Sequence, residues 1–104
     1  MILEYRCYTL KPGKVGDFAK VYEEFGAPVQ IPILGEPVVV FSTEVGPLNQ
    51  IVHVWKYEDF ADRDRRRAEL GKHPDWPKYL ERALPLFDHM ETKIGYPTSW
   101  SPVK

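Results

Sequence analysis

The side chains whose types and spacing could do chemistry are few: Arg6 with Glu4 two positions before it, Tyr8, His53, and the tryptophans Trp55 and Trp76. Arginine presents a planar fork that pairs bidentately with a carboxylate, and a neighbouring glutamate can hold that fork in place. Glu4 and Arg6 therefore read either as a clamp for a substrate carboxylate or as a structural ion pair at a subunit interface. An imidazole can act as a base or bind a ligand's polar oxygen, which makes His53 and Arg6 the candidate catalytic residues. The alternative for His53 is a buried ring bonded to a backbone or carboxylate partner. Ligand contacts are expected from Arg6, Tyr8, His53, Trp55 and Trp76, the tryptophans supplying apolar walls.

Other chemistries find little support. His53, His73 and His89 fall on different segments without ligand-pair spacing, and His89-Met90-Glu91 alone does not make a site, so no metal and no cofactor are expected. Cys7 is the single cysteine, which rules out an internal disulfide, and with no adjacent base in the sequence it reads as an inert buried thiol. Neither a Gly-rich phosphate loop nor a nucleophile elbow is present. Arg63, Arg65, Arg66 and Arg67 form a basic run, but Asp59 to Arg63, Asp62 to Arg66 and Arg65 to Glu69 are opposite charges four apart. The run reads as a solvated, self-neutralised helix face, and a net charge of −1 leaves no field to attract nucleic acid. Apolar runs are too short to span a bilayer and Met1-Ile2-Leu3-Glu4 does not resemble a leader, so a cytoplasmic protein is expected.

The 104 residues read as a single domain. Ile2 to Thr9 alternate, with Leu3, Tyr5, Cys7 and Thr9 on one face and Ile2, Glu4, Arg6 and Tyr8 on the other, predicting a strand. Val15, Phe18, Ala19, Tyr22 and Phe25 form one helical stripe, stopped by Gly26 and Pro28. Ala27 to Pro37 reads as a packed connector. Val38–Val45 and Gln50–Tyr57 predict a hairpin about Gly46-Pro47-Leu48-Asn49, where Asn49 supplies turn chemistry. Asp59 caps a helix running to Leu70. A second helix carries Trp76, Tyr79, Leu80, Ala83, Leu84 and Phe87 on one stripe until Pro85 ends or kinks it, and a last strand covers Met90 to Ile94. The aromatics Tyr22, Phe25, Trp76 and Tyr79 lie on core-facing stripes, where they either pack the core or line a flat ligand's pocket.

The order β-α-β-β-α-α-β folds most simply into an α+β, ferredoxin-like, four-stranded antiparallel sheet with its helices on one face. Strand 3 is apolar on both sides, with Val52 and Val54 opposite Ile51 and Trp55, and strand 2 pairs Val38 and Val40 with Val39 and Phe41. A single helical layer leaves one set uncovered, so a homodimer through the sheet faces is expected.

Tyr8-Thr9-Leu10-Lys11-Pro12-Gly13, Thr43-Glu44-Val45-Gly46-Pro47-Leu48-Asn49-Gln50, Val52-His53-Val54-Trp55-Lys56-Tyr57, Pro74-Asp75-Trp76 and Pro85-Leu86 together resemble the NIPSNAP family over nearly the whole chain. The resemblance implies a dimeric α/β-barrel, the fold shared with cofactor-independent monooxygenases of antibiotic biosynthesis and with haem-degrading monooxygenases. It implies no particular reaction. Animal members carry targeting segments and a second related domain; this sequence is more similar to single-domain bacterial members, so trafficking roles are not expected. Two functions follow. One is binding of a small apolar or aromatic molecule, extending to a monooxygenase-like enzyme in which Arg6 or His53 orients a polar oxygen. The other is a non-catalytic homodimeric interaction module using the Tyr96–Lys104 tail.

Overall fold

Alternation carries β1 (Ile2–Leu10) through the middle of the sheet, between β3 (Gln50–Tyr57) and β4 (Phe87–Gly95). The short β2 (Val39–Ser42) closes the edge beyond β3, giving the order β2-β3-β1-β4 with every pair antiparallel. This is the ferredoxin-like α+β arrangement. The computed structural model describes residues 1–104, and between the strands lie α1 (Val15–Val21), α2 (Ala27–Leu34), α3 (Phe60–Lys72) and α4 (Trp76–Ala83).

Register fixes the two faces. Opposite residues in an antiparallel pair share a face, and Glu4 lies opposite Trp55 and Ile94, Arg6 opposite His53 and Thr92, Tyr8 opposite Ile51 and Met90. The helices cover this face. Ile2, Val29, Leu34, Trp55, Tyr57 and Leu70 form one buried cluster beneath it, and Tyr8, Leu10, Phe18, Ile51, Tyr79 and Ala83 a second. Leu3, Tyr5, Cys7, Val39, Phe41, Val52 and Val54 occupy the other face, which no helix covers. Cys7 and Val52 are nevertheless buried there, whereas Val39 and Phe41 are each 46% exposed.

Three boundaries differ from the sequence reading. Ala27–Leu34 is helical rather than a connector: a π-turn (Tyr22–Gly26) joins α1 to α2, and Pro28 falls in the first turn of α2, where a missing N–H leaves nothing unpaired. Gly26 is required by that geometry, since a Cβ there would lie 2.7 Å from a Tyr22 ring carbon and 2.8 Å from one of Tyr79. The predicted strand Val38–Val45 shortens to Val39–Ser42, and β4 begins at Phe87, three residues before the expected Met90. As expected, Asp59 caps α3 by accepting from the Asp62 amide at 2.7 Å. Asn49 adopts positive φ in the turn, where its carbonyl accepts from Leu10 N at 2.7 Å.

Candidate functional site

The helix-covered face carries a charge cluster centred on Glu4, whose side chain is fully buried. Arg63, on α3, donates to Glu4 Oε2 from Nη2 at 2.7 Å and from Nε at 3.1 Å. Arg67, one turn later, donates from Nη2 to Oε1 at 2.9 Å, and Arg6 reaches Oε2 from Nη1 at 3.3 Å. Tyr57 and Thr92 complete the shell with hydroxyl donors, each at 3.2 Å. Burial alone would raise the Glu4 pKa, but the hydrogen bond from Arg63 and the charges of Arg67, Arg6 and Arg63 outweigh it and hold the carboxyl down at about 2.

The expected solvated arginine face is thus only half right. Arg65 and Arg66 bind Asp62 Oδ1 at 2.6 and 2.8 Å, but Arg63 and Arg67 turn inward to Glu4, Arg63 keeping a longer contact of 3.5 Å to the exposed Asp64. Glu4 and Arg6 do pair, on the helical side of the sheet and therefore not across its open face.

Next to the cluster lies a cavity of about 260 Å³ between the sheet and helices α3 and α4. Arg6, Tyr8, Gln30 and Arg67 form its polar wall; Trp76, Tyr79, Leu80 and Phe87 form the apolar one. Half-exposed Leu84 and Met90 stand at the rim. The aromatic packing is orderly: Tyr8 stacks on Phe87 with ring centroids 5.1 Å apart, and Trp76 on Tyr79 at 4.7 Å. A groove of about 310 Å³ beside Met1, Lys56 and Glu58 is larger, but its buried acid Asp62 is already satisfied by Arg65 and Arg66, and Arg66 also donates to the Leu34 carbonyl.

Three of the five expected ligand contacts, Arg6, Tyr8 and Trp76, therefore line one cavity. His53 and Trp55 do not. Trp55 is fully enclosed in the core cluster below the wall. His53 is 2% exposed, stacked on Trp55 at 5.7 Å and flanked by Tyr8 and Tyr22, with neither ring nitrogen bonded to the protein. Desolvation first, then the charges of Arg6 and Arg67, bring its pKa down to about 4, so the ring is neutral at pH 7. It is neither the satisfied core histidine nor the cavity-lining base that the sequence offered as alternatives. Sequence reasoning missed Gln30 and Arg67. Gln30 sits in α2, which was read as a connector, and Arg67 was assigned to the solvent face. The cavity wall contains no carboxylate or imidazole. Burial also raises the pKa of Tyr79, which keeps that phenol protonated. No group of three or more His, Cys, Asp and Glu side chains is placed to hold a metal ion, and no helix is long and apolar enough to cross a membrane.

The family model described as NIPSNAP matches residues 3–102. The Dictyostelium discoideum NipSnap homolog is 40% identical over 92% of this chain, and the human NipSnap homolog 3A is 35% identical over 93%. The chain spans only 42% and 39% of those two proteins. Among solved structures, a NIPSNAP family protein from Agrobacterium tumefaciens superposes with a TM-score of 0.96 at 36% identity, over 99% of this chain and 98% of that one. A NIPSNAP-like domain protein from Burkholderia xenovorans gives 0.93 at 45%, covering 97% and 88%. An antibiotic biosynthesis monooxygenase shares the fold alone, with a TM-score of 0.69 at 12% identity over 94% of this chain and 99% of that one.

Proposed function

The chain belongs to the NIPSNAP family, and from that premise we propose that it binds a small aromatic or apolar molecule in the cavity between its sheet and α3–α4. The observation that carries this reading is the cavity wall itself: aromatic rings on one side and a few convergent polar groups on the other. That combination is typical of small-molecule sites, and at about 260 Å³ the cavity is slightly smaller than their usual range, which suits a compact ligand. Monooxygenation, the activity named for the protein of similar fold, would draw on a group able to take a proton from the bound compound. The wall offers no carboxylate or imidazole, and His53 lies behind Tyr8 rather than on the surface of the cavity. Binding without a side-chain base is therefore the better-supported activity.

Thermal melts with 2-naphthol, 2-naphthamide and 2-naphthoate test the reading, using wild type and Leu84→Trp, which narrows the mouth from a half-exposed position. Wild type should be stabilised by at least one compound and the variant by none. Equal stabilisation of both, or of neither, would overturn it.

A homodimer through the open sheet face is the second part of the proposal, supported by exposed Val39 and Phe41 beside Tyr5 and Val54 on a face that no helix covers. Light scattering should give twice the chain mass of 12.1 kDa; a uniform 12.1 kDa particle would sink it. A non-catalytic interaction role draws support from Tyr96 and Trp100, which are 75% and 82% exposed at the C-terminal end.

A further inference from the structure

The polar wall of the cavity carries several hydrogen-bond donors that the protein leaves unpaired. Arg6 directs Nε to the Tyr8 hydroxyl at 2.8 Å and Nη1 to Glu4, leaving Nη2 uncommitted. Arg67 directs Nη2 to Glu4 and encloses Nε without an acceptor, which leaves Nη1 as its uncommitted nitrogen outside the buried core. Gln30 accepts from the Tyr22 hydroxyl through Oε1 at 2.6 Å, which leaves its amide N–H groups free. Charge tells the same story. Three guanidiniums surround one buried carboxylate, and only Arg63 has a second acid nearby, Asp64 at 3.5 Å. Arg63 is not part of the cavity wall; Arg6 and Arg67 are. Partly buried cations and enclosed donors without acceptors are costly, and an anion in the cavity would supply the missing acceptors.

We propose that the ligand is an aromatic carboxylate, its carboxyl oxygens held by Arg6 and Arg67 with the Gln30 amide alongside, and its ring against Trp76 and Phe87. This rests on the binding role proposed above and goes further by naming the head group. One free terminal nitrogen on each of two partly buried guanidiniums gives a carboxylate a charge-assisted donor for each of its oxygens. Glu4 then positions both arginines rather than competing for the site, because its oxygens are already occupied by the guanidiniums and the two hydroxyls. The cavity is too small for a long chain or a nucleotide, and its opposite wall carries no charged group to receive one.

Isothermal titration with a matched pair tests the head group, since 2-naphthoate and 2-naphthamide differ in charge but hardly in shape. Wild type should bind the acid about ten-fold or more tightly than the amide, the ratio expected of a charge-assisted contact. In Arg67→Gln the ratio should fall several-fold, and Arg67→Lys should recover part of it. If acid and amide bind wild type equally, the carboxylate assignment is overturned while the cavity reading survives. If neither binds, both fall. Inorganic phosphate is the third arm: binding as tight as naphthoate would mean that the aromatic wall contributes nothing, and would overturn the aromatic assignment. Should Arg67→Gln fail to fold, the wild-type ratio alone still decides the question.

Discussion

Replacing Glu4 by Gln removes the charge that three arginines share while keeping the size of the side chain. The carboxylate accepts six hydrogen bonds, four of them from guanidinium nitrogens at 2.7 to 3.3 Å. An amide at the same place offers one oxygen and turns an N–H₂ group toward cations. Removing one partner of a buried ion pair costs about 3–5 kcal/mol, because the remaining charge stays buried without compensation. Arg6, Arg63 and Arg67 are each 20–22% exposed, so water recovers part of that and about 3 kcal/mol is the expected loss. Urea unfolding at pH 7 measures it directly from the midpoint at constant slope. Thr92→Val and Tyr57→Phe, each removing one hydroxyl donor to the carboxylate at 3.2 Å, should cost less, about 1.5 kcal/mol. A loss below about 1 kcal/mol for Glu4→Gln would refute the view that this carboxylate organises the arginine cluster.

Acidification should destabilise the fold in two overlapping steps. His53, held at about 4 against an ordinary 6.5, binds its proton more readily in the unfolded chain, so stability falls by about 3 kcal/mol between pH 6.5 and 4. Glu4, held at about 2 against 4.5, contributes stability present above pH 4.5 and lost as pH falls toward 2. Equilibrium melts of wild type and His53→Leu should differ in the slope of stability with pH between 6.5 and 4, and equal slopes would contradict the first step. Gly26→Ala should destabilise by about 1–3 kcal/mol in urea, since its methyl would meet the Tyr22 and Tyr79 rings inside van der Waals distance. Val54→Lys, on the open sheet face, should yield monomer by light scattering, whereas a lysine at Val45, 89% exposed in the hairpin turn, should leave the assembly unchanged.

The sheet was legible because alternation is a local signal: Ile2 to Tyr8 announce their faces, and register then places Arg6 beside His53. The apolar faces of β2 and β3 were legible for the same reason. Ala27–Leu34 was not, because Gly26 and Pro28 carry the usual marks of a helix stop, and only the packing of Gly26 beneath Tyr79 shows that the chain passes through a π-turn instead. Of the site, Arg6, Tyr8 and Trp76 could be picked from residue type and face. Arg63 and Arg67 could not, since pairing four apart along the helix explained them adequately. One sequence signal did point inward: Arg63 and Arg67 are themselves like charges four apart, an arrangement that a solvated face disfavours unless an anion lies between them, and Glu4 on β1 is that anion. His53 shows the opposite limit. Its burial followed from its strand position, but that both of its nitrogens would lack partners depends on how Tyr22, Tyr8 and Trp55 close around it.

A crystal structure of the protein with 2-naphthoate decides whether the arginines hold a carboxylate. One naphthoate per chain should lie in the cavity, its ring beside Trp76 and Phe87 and its carboxylate within about 3 Å of both Arg6 and Arg67 nitrogens. An empty cavity at saturating naphthoate, or a ligand whose carboxylate faces solvent while the two guanidiniums keep only Glu4, would contradict it.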